Sequence, residues 1–490
     1  MNAPAPAPNH YEDELTQLGE SYAAACAADI ESLKLAIASA AECSLIGVGS
    51  GGSFTVASLL CGLHETYTGR VSRPSTPLEI ICSPALASSS PVFLVSAEGN
   101  NPDIVEALER SRRFSSRPVH VLTNRQDSKL MTHVGKLPGV KPYVFELTKK
   151  DGYLATNSLL LDAVLVARAY AELNGRPNPM PASISALQIG ERGIAQWLKD
   201  AQPFLAEAVR RGALTVVYSP LLKPIATDLE SKLSEGALLH VQLADLRSYA
   251  HGRHLWLAQR PDDCAILALI EPTLAKLWVG MRSQFPEGIP TFDMALGGSE
   301  PVHLIAGLVA QMHMVAAVGR LMGKDPGRPN VPTYGRAIHY TQVGELIPLP
   351  SSDAPAEESA KYEVLGAHWP SRRDHGEMRR AAQTFILARG VSKSALVAAI
   401  IQQDSVDPYQ ILTMGDQGAW PGNDAALLEH RYSLSVDLPS RRLDRGWKLA
   451  PTEKRDVDAT LWYLEHMTAK NGLVRVELPL NDGHGRAHDA

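Results

Sequence analysis

The chain predicts an α/β fold: two successive units, each a parallel sheet flanked by helices, followed by a smaller C-terminal α/β domain. Three observations carry that expectation. Short apolar runs alternate with longer stretches of helical periodicity. The first of these runs ends in a glycine-rich turn, Gly49-Ser50-Gly51-Gly52-Ser53, that opens a helix. After a Pro/Asn-rich break at 174–183 the same order of elements begins again, as in an internal duplication. The expected boundaries are a disordered lead-in at 1–10, a first unit at 11–180, a second at 184–340, a linker at 341–360 and a C-terminal domain at 361–480.

Taken in order, 11–41 is alanine-rich and helical, 43–48 is a short buried strand, and 54–63 is the helix after the glycine-rich turn. Small residues at such a turn let backbone N–H groups close on an anion at a helix N-terminus. Residues 78–81 and 91–95 read as strands, with the loop 96–103 and a helix at 104–113 after the second. Strands at 119–123 and 143–147 follow, and 155–158 caps a long helix running to about 171. The second unit has a helix near 194–211, a strand at 214–218, a helix from 228, a strand at 265–270, a helix to about 284 and a long helix at 302–322. Residues 334–340 close it. Beyond the linker, helices are expected at 376–389, 392–401 and 457–470, strands at 411–414, 433–437 and 474–478, and a frayed tail from 481.

With 490 residues there is room for about three domains of ~150 residues. Apolar residues make up 45% and charged residues 20%, an ordinary globular balance. A net charge of -6 does not mark a nucleic-acid binder. Cys26, Cys43, Cys61, Cys82 and Cys264 lack CxxC spacing, which fits reduced thiols and a cytoplasmic setting. No apolar run is expected to reach the ~18 residues of a membrane span, and the Pro/Ala-rich start lacks the basic and apolar regions of a signal peptide.

The stretch 228–254 carries the candidate chemistry. Asp228, Lys232 and Glu235 stand at offsets of four and three, which puts them on one helix face. Leu229, Leu233, Ala237 and Leu238 could anchor that helix. Such a triplet is ordinarily a solvated salt-bridge ladder. Here His251-Gly252-Arg253-His254 follows, a polar turn or metal fragment by itself, yet histidine titrates near neutral pH and suits proton transfer.

Residues 44–340 resemble tandem sugar isomerase (SIS) domains, as in the isomerase half of glucosamine-6-phosphate synthase. The resemblance rests on GVGSGGS (47–53), SAEGNNPD (96–103), ATNS (155–158), D-x3-K-x2-E (228–235) and AHG (250–252). It implies flavodoxin-like units and a sugar phosphate or sugar derivative held by Ser50, Gly51, Ser53, Ser96, Glu98, Gly99 and Asn101, with Thr156 and Ser158 facing it. It further implies that Asp228, Lys232 and Glu235 take the helix roles. Glu235 would move a proton between C1 and C2 through an enediol, without metal or other cofactor. His251 would assist ring opening from a neighbouring subunit, hence a homodimer.

The sequence departs from the family at two positions. Glu98 stands where the family has a phosphate-binding serine, and Asn101 where it has Thr or Ser. Two unit charges at ~4 Å repel by about 4 kcal/mol at an effective dielectric of 20. Either Glu98 points away or the ligand is not a simple sugar phosphate. No glutaminase precedes the isomerase-like part, so glutamine-dependent ammonia transfer is not expected.

A second resemblance touches 392–396, 411–412, 415–416 and 423–424, which look like the third and fourth motifs of haloacid dehalogenase-type phosphatases. It makes Asp416 and Asp424 candidate metal ligands, although no DxD nucleophile precedes them, so the domain reads as degenerate. Their ordinary reading is as loop acids. The leading functional expectation is an aldose–ketose isomerase or deaminase. One competitor is a non-catalytic sensor or assembly module on the same fold. The other is a dinucleotide-binding dehydrogenase, which needs an acid ending the second strand, whereas Glu79 opens its run.

Overall fold

The computed structural model describes residues 9–347 except 89, 116 and 298–300, and parts of 349–476. The chain divides into two compact units, 1–350 and 351–490.

The first unit opens with three helices, α1 (His10–Leu15), α2 (Leu18–Ala27) and α3 (Glu31–Ala40), where one helical stretch was expected. A five-stranded sheet follows: β1 (Leu45–Val48), β2 (Ser72–Ser75), β3 (Val92–Val95), β4 (Val119–Thr123) and β5 (Val140–Val144). All neighbours are parallel, in the order β2-β1-β3-β4-β5. That order is the flavodoxin-like one. Its helices are α4 (Gly52–Thr68), α5 (Pro77–Cys82), α6 (Pro102–Phe114), α7 (Lys129–Val134) and α8 (Asn157–Leu173).

A short hairpin, β6 (Gln188–Ile189) and β7 (Arg192–Gly193), leads into α9 (Ile194–Arg211). The second sheet is built from β8 (Ala213–Tyr218), β9 (His240–Asp245), β10 (Ala265–Ile270) and β11 (Thr291–Ala295), all parallel, in the order β11-β10-β8-β9. Its helices are α10 (Lys223–Glu235), α11 (Leu246–Ser248), α12 (Leu255–Gln259), α13 (Ala275–Arg282) and α14 (Pro301–Leu321); α15 (Thr333–His339) and α16 (Val343–Leu346) follow.

The strands read correctly are the central ones. β1, β3, β4 and β10 are buried along their whole length. A strand covered by helices on both faces must be apolar throughout, so it shows as an unbroken run. The expected strand at 78–81 is instead α5. Thr76 accepts a hydrogen bond from the Glu79 amide at 3.3 Å, and the Glu79 carboxylate accepts from the Thr76 amide at 2.7 Å, a capping box with Pro77 at the first helical position. The edge strand is β2, just before it. β5 lies three residues earlier than expected, and the edge strands β9 and β11 were not foreseen.

One apolar cluster runs through both α/β halves, from Leu45 and Phe93 through α8 to Leu214, Leu267 and α14. Helices α8 and α14 pack on each other at its centre. Against expectation, α14 is long and apolar enough to cross a membrane, with a mean hydropathy of 1.6, but 83% of that stretch is buried inside the protein.

In the second unit, Thr413–Gln417 pairs in parallel with Ser433–Leu438, and Asp456–Glu465 is a helix. Ile386–Ala388 pairs antiparallel with Tyr362–Val364, and Met467–Lys470 with Leu473–Val476. Residues 386–388 and 467–470, expected to be helical, are therefore strands. The rest of the expected helices at 376–389 and 392–401 lies outside the described residues apart from Val397, as do the tail and residues 1–8.

Candidate functional site

Loops 49–53 and 96–101 leave the carboxyl ends of β1 and β3, where the strand order reverses. In open α/β sheets that crevice is where ligands bind. The two loops touch: Ser53 Oγ accepts from the Ala97 amide at 3.4 Å, and Ser96 Oγ accepts from the Gly99 amide at 3.3 Å. Asn101 caps α6 by accepting from the Asp103 amide at 2.7 Å. A Cβ at Gly52 would collide with the Ala155 side chain, so glycine there lets the first loop press against the start of α8. Ser50 and Gly51 are exposed, Ser53, Ser96, Glu98 and Asn101 half-buried, and Gly99 buried. Glu98 is not an unbalanced charge: Arg125 lies 3.4 Å from its carboxylate and Lys150 3.1 Å.

The start of α8 is held by a residue that the sequence reading missed. Thr156 and Ser158 are buried, and their hydroxyls donate to Asp151 at 2.9 and 2.6 Å. Asp151 also accepts from the amides of Thr156, Asn157 and Ser158 at 3.0, 2.9 and 3.0 Å. An anion is favoured at a helix N-terminus, and the chain supplies its own. Sequence gave little signal for it, because a capping acid usually sits at the cap itself and Asp151 lies five residues ahead.

Helix α10 carries the acid–lysine–acid triplet, and burial divides it. Asp228 and Lys232 are buried and paired at 2.7 Å. Thr55 of α4 donates to the other Asp228 oxygen at 2.8 Å, and Gln311 of α14 donates to Asp228 as well. Asp228 thus ties three helices together, with Lys232 as its counter-ion. Near the start of α10, Pro224 sits beside Gly62, Leu63 and Thr66. Since Asp228 meets Thr55, α10 runs antiparallel to α4. Thr55 lies about 6 Å from Gly51 along α4, while Glu235 lies about 10 Å beyond Asp228. The end of α10 therefore passes the start of α4, at the carboxyl edge of the first sheet. Glu235 has an exposed side chain and accepts from Ser231. The protein crowded beneath it pushes its carboxyl up by desolvation, against the Ser231 bond and the Lys232 charge. The Tyr11 hydroxyl is buried without a partner. Burial first, then the charges of Asp228, Glu14 and Asp151, hold its proton on.

His251 is exposed, in the turn after β9. β8 and β9 are parallel, so α10 returns to the amino edge of the second sheet while His251 follows its carboxyl edge. β9, six residues at ~3.3 Å each, is about 16–20 Å long, so the end of α10 and the turn bearing His251 follow opposite edges of that sheet. The structure brings together the two loops and the start of α8, and seats α10 on α4 beside them, while His251 follows the other edge of the second sheet. Glu79, which the dehydrogenase reading needed at a strand end, pairs with Arg73 at 3.0 Å on α5.

In the second unit Asp424 accepts from the Asp416 amide at 2.8 Å, and a Cβ at Gly415 would strike Asp424. Among the described residues no three His, Cys, Asp or Glu groups gather to hold a metal ion.

No protein-family model and no curated protein matches the chain. Among solved structures it is similar to tagatose-6-phosphate ketose/aldose isomerase from Escherichia coli, with 14% identity and a TM-score of 0.51, covering 67% of this chain and 98% of that one. It is also similar to glucosamine-6-phosphate deaminase from Thermotoga maritima, at 13% identity and a TM-score of 0.48 over 66% and 97% of the two chains. The C-terminal domain of glucosamine-fructose-6-phosphate aminotransferase from Francisella tularensis gives 15% and 0.48 over 66% and 99%. The fold is that of tandem sugar isomerase (SIS) domains: parallel sheets flanked by helices, with the loops of interest at a switch point. Nothing in these likenesses supports the haloacid dehalogenase resemblance.

Proposed function

We propose that the chain binds a sugar derivative at the carboxyl edge of the first sheet and isomerises or deaminates it through an enediol. The observation that carries this reading is the antiparallel seating of α10 on α4, anchored by Thr55 and Asp228, which extends Glu235 past the glycine-rich loop. A carboxyl that desolvation holds above the usual carboxylate range is better suited to taking a proton from C2 and returning it at C1. Lys232 is committed to Asp228 and acts by holding the helix in place. His251 would have to come from a second copy of the chain.

The test is proton exchange at C2 of a bound sugar in deuterated water. Glu235→Gln is expected to abolish exchange while leaving ligand binding intact; retained exchange in that variant would remove Glu235 from the chemistry. A second reading, a non-catalytic sensor, is favoured by the two acids, Glu98 and Asp151, that stand in the anion loops. Wild-type protein that binds sugar but never exchanges the proton would establish it.

A further inference from the structure

Beside the loops, at the same edge, lies an open cavity of about 780 Å³. Glu14, Lys150, Asp151, Tyr153, Arg328 and Arg336 are among its lining residues. It adjoins the site through two contacts already described, Lys150 with Glu98 and Asp151 with the start of α8.

Its charges are not equivalent. Asp151 accepts five hydrogen bonds, which fills the roughly four lone-pair positions of a carboxylate. Glu14 accepts from the Gly152 amide at 2.9 Å. Its other oxygen lies 3.1 Å from the Thr156 hydroxyl, which is shared between Glu14 and Asp151, so at most two of the roughly four acceptor positions of the Glu14 carboxylate are filled. Glu14 therefore keeps acceptor capacity towards the cavity. Among the described residues, Arg328 and Arg336 have no acid within ion-pair distance. Glu14 and Arg328 converge on Gly152: a Cβ there would strike the Glu14 carboxylate and come within 3.4 Å of the Arg328 guanidinium. The wall bearing Arg328 is fixed on α1, because the Asp325 carboxylate accepts from the amides of His10 and Tyr11 at 2.9 and 3.2 Å. One helix thus positions both the acid and the facing cation, a preorganised arrangement.

We propose that this cavity holds the anionic end of the ligand on Arg328 and Arg336 and its nearest hydroxyl on Glu14, so that the serine loops bind the sugar rather than its charge. The inference rests on the sugar-binding reading and adds the ligand class: a polyhydroxylated chain ending in a phosphate or carboxylate. Guanidinium groups recognise both, bidentately.

The experiment is calorimetric titration of the full chain with a hexose, its 6-phosphate and the matching uronic acid. Wild type is expected to bind one charged form at least tenfold more tightly than the neutral hexose, and which one it is names the anion. The Arg328→Gln/Arg336→Gln double variant should lose that increment and keep hexose binding, whereas Ser50→Ala/Ser53→Ala should keep the increment. Absence of an increment in wild type, or its loss in the serine variant with retention in the arginine variant, would overturn the inference while leaving sugar binding intact. Binding of none of the three would overturn the sugar reading with it.

Discussion

At the scale of single residues, burial decides what each titratable group contributes. Asp162 of α8 is 1% exposed and accepts from Asn124 at 2.8 Å. Burial pushes its carboxyl up to about 7, against the Asn124 bond and with the Asp151 charge. The unfolded value is about 3.9. Between those two values the folded chain holds a proton that the unfolded chain has released, so stability falls as pH rises through that window, by roughly 4 kcal/mol at most. His120 acts in the opposite sense: burial lowers its imidazole to about 4, so its contribution is lost as pH falls from ~6.5. Comparing wild type with Asp162→Asn at each pH isolates the acid. The stability of wild type minus that of the variant, from urea unfolding, should fall steadily between pH 4 and 7, and the variant should be the more stable protein at pH 8. An unchanged profile would mean that Asp162 ionises normally. The same scale shows the limit of the sequence. The offsets of Asp228, Lys232 and Glu235 were legible, but not that the first two would be buried against Thr55 and Gln311, since those partners are 173 and 83 residues from Asp228.

At the scale of elements, α10 ends on an unusual residue. Gly236 takes an ordinary helical φ of −73°, while Ala237 is left-handed at φ 50°. The Leu238 amide reaches back to the Leu233 carbonyl at 2.8 Å, which closes a Schellman turn around Ala237. A side chain in that conformation costs about 1 kcal/mol relative to glycine. Ala237→Gly should therefore raise stability by at most roughly 0.5 kcal/mol, once the extra freedom of glycine in the unfolded chain is subtracted. Chemical denaturation would show it, and a destabilised variant would refute the strain. Legibility also follows position in the sheet. β2, β9 and β11 are edge strands carrying Arg73, Gln242 and Asp293, and no continuous apolar run announced them. The missed strand at 467–470 had a signal that went unread: Asn471-Gly472, between the paired strands, is the commonest two-residue hairpin sequence.

At the scale of the whole molecule, the strand β9 separates Glu235 from His251. If both serve one reaction, two copies must share it. Mixing equal amounts of inactive Glu235→Gln and inactive His251→Asn should then regain activity through hybrid dimers, towards about one quarter of the wild-type rate by random assortment. Mixtures as inactive as their parents would confine the chemistry to one chain and remove His251 from it. The division of labour among the helix N-termini could not be read in advance, because it depends on Glu14, Asp151 and Arg328, which are far apart in sequence and fit no fixed spacing.

The packing of α8 on α14 has a consequence for the proline-rich break at 174–183. On paper it looks like a hinge between two modules. In the folded protein each half lends its longest apolar helix to the other, so a cut there would not release two modules. It would leave two fragments, each with a bare greasy stripe that only the other can cover.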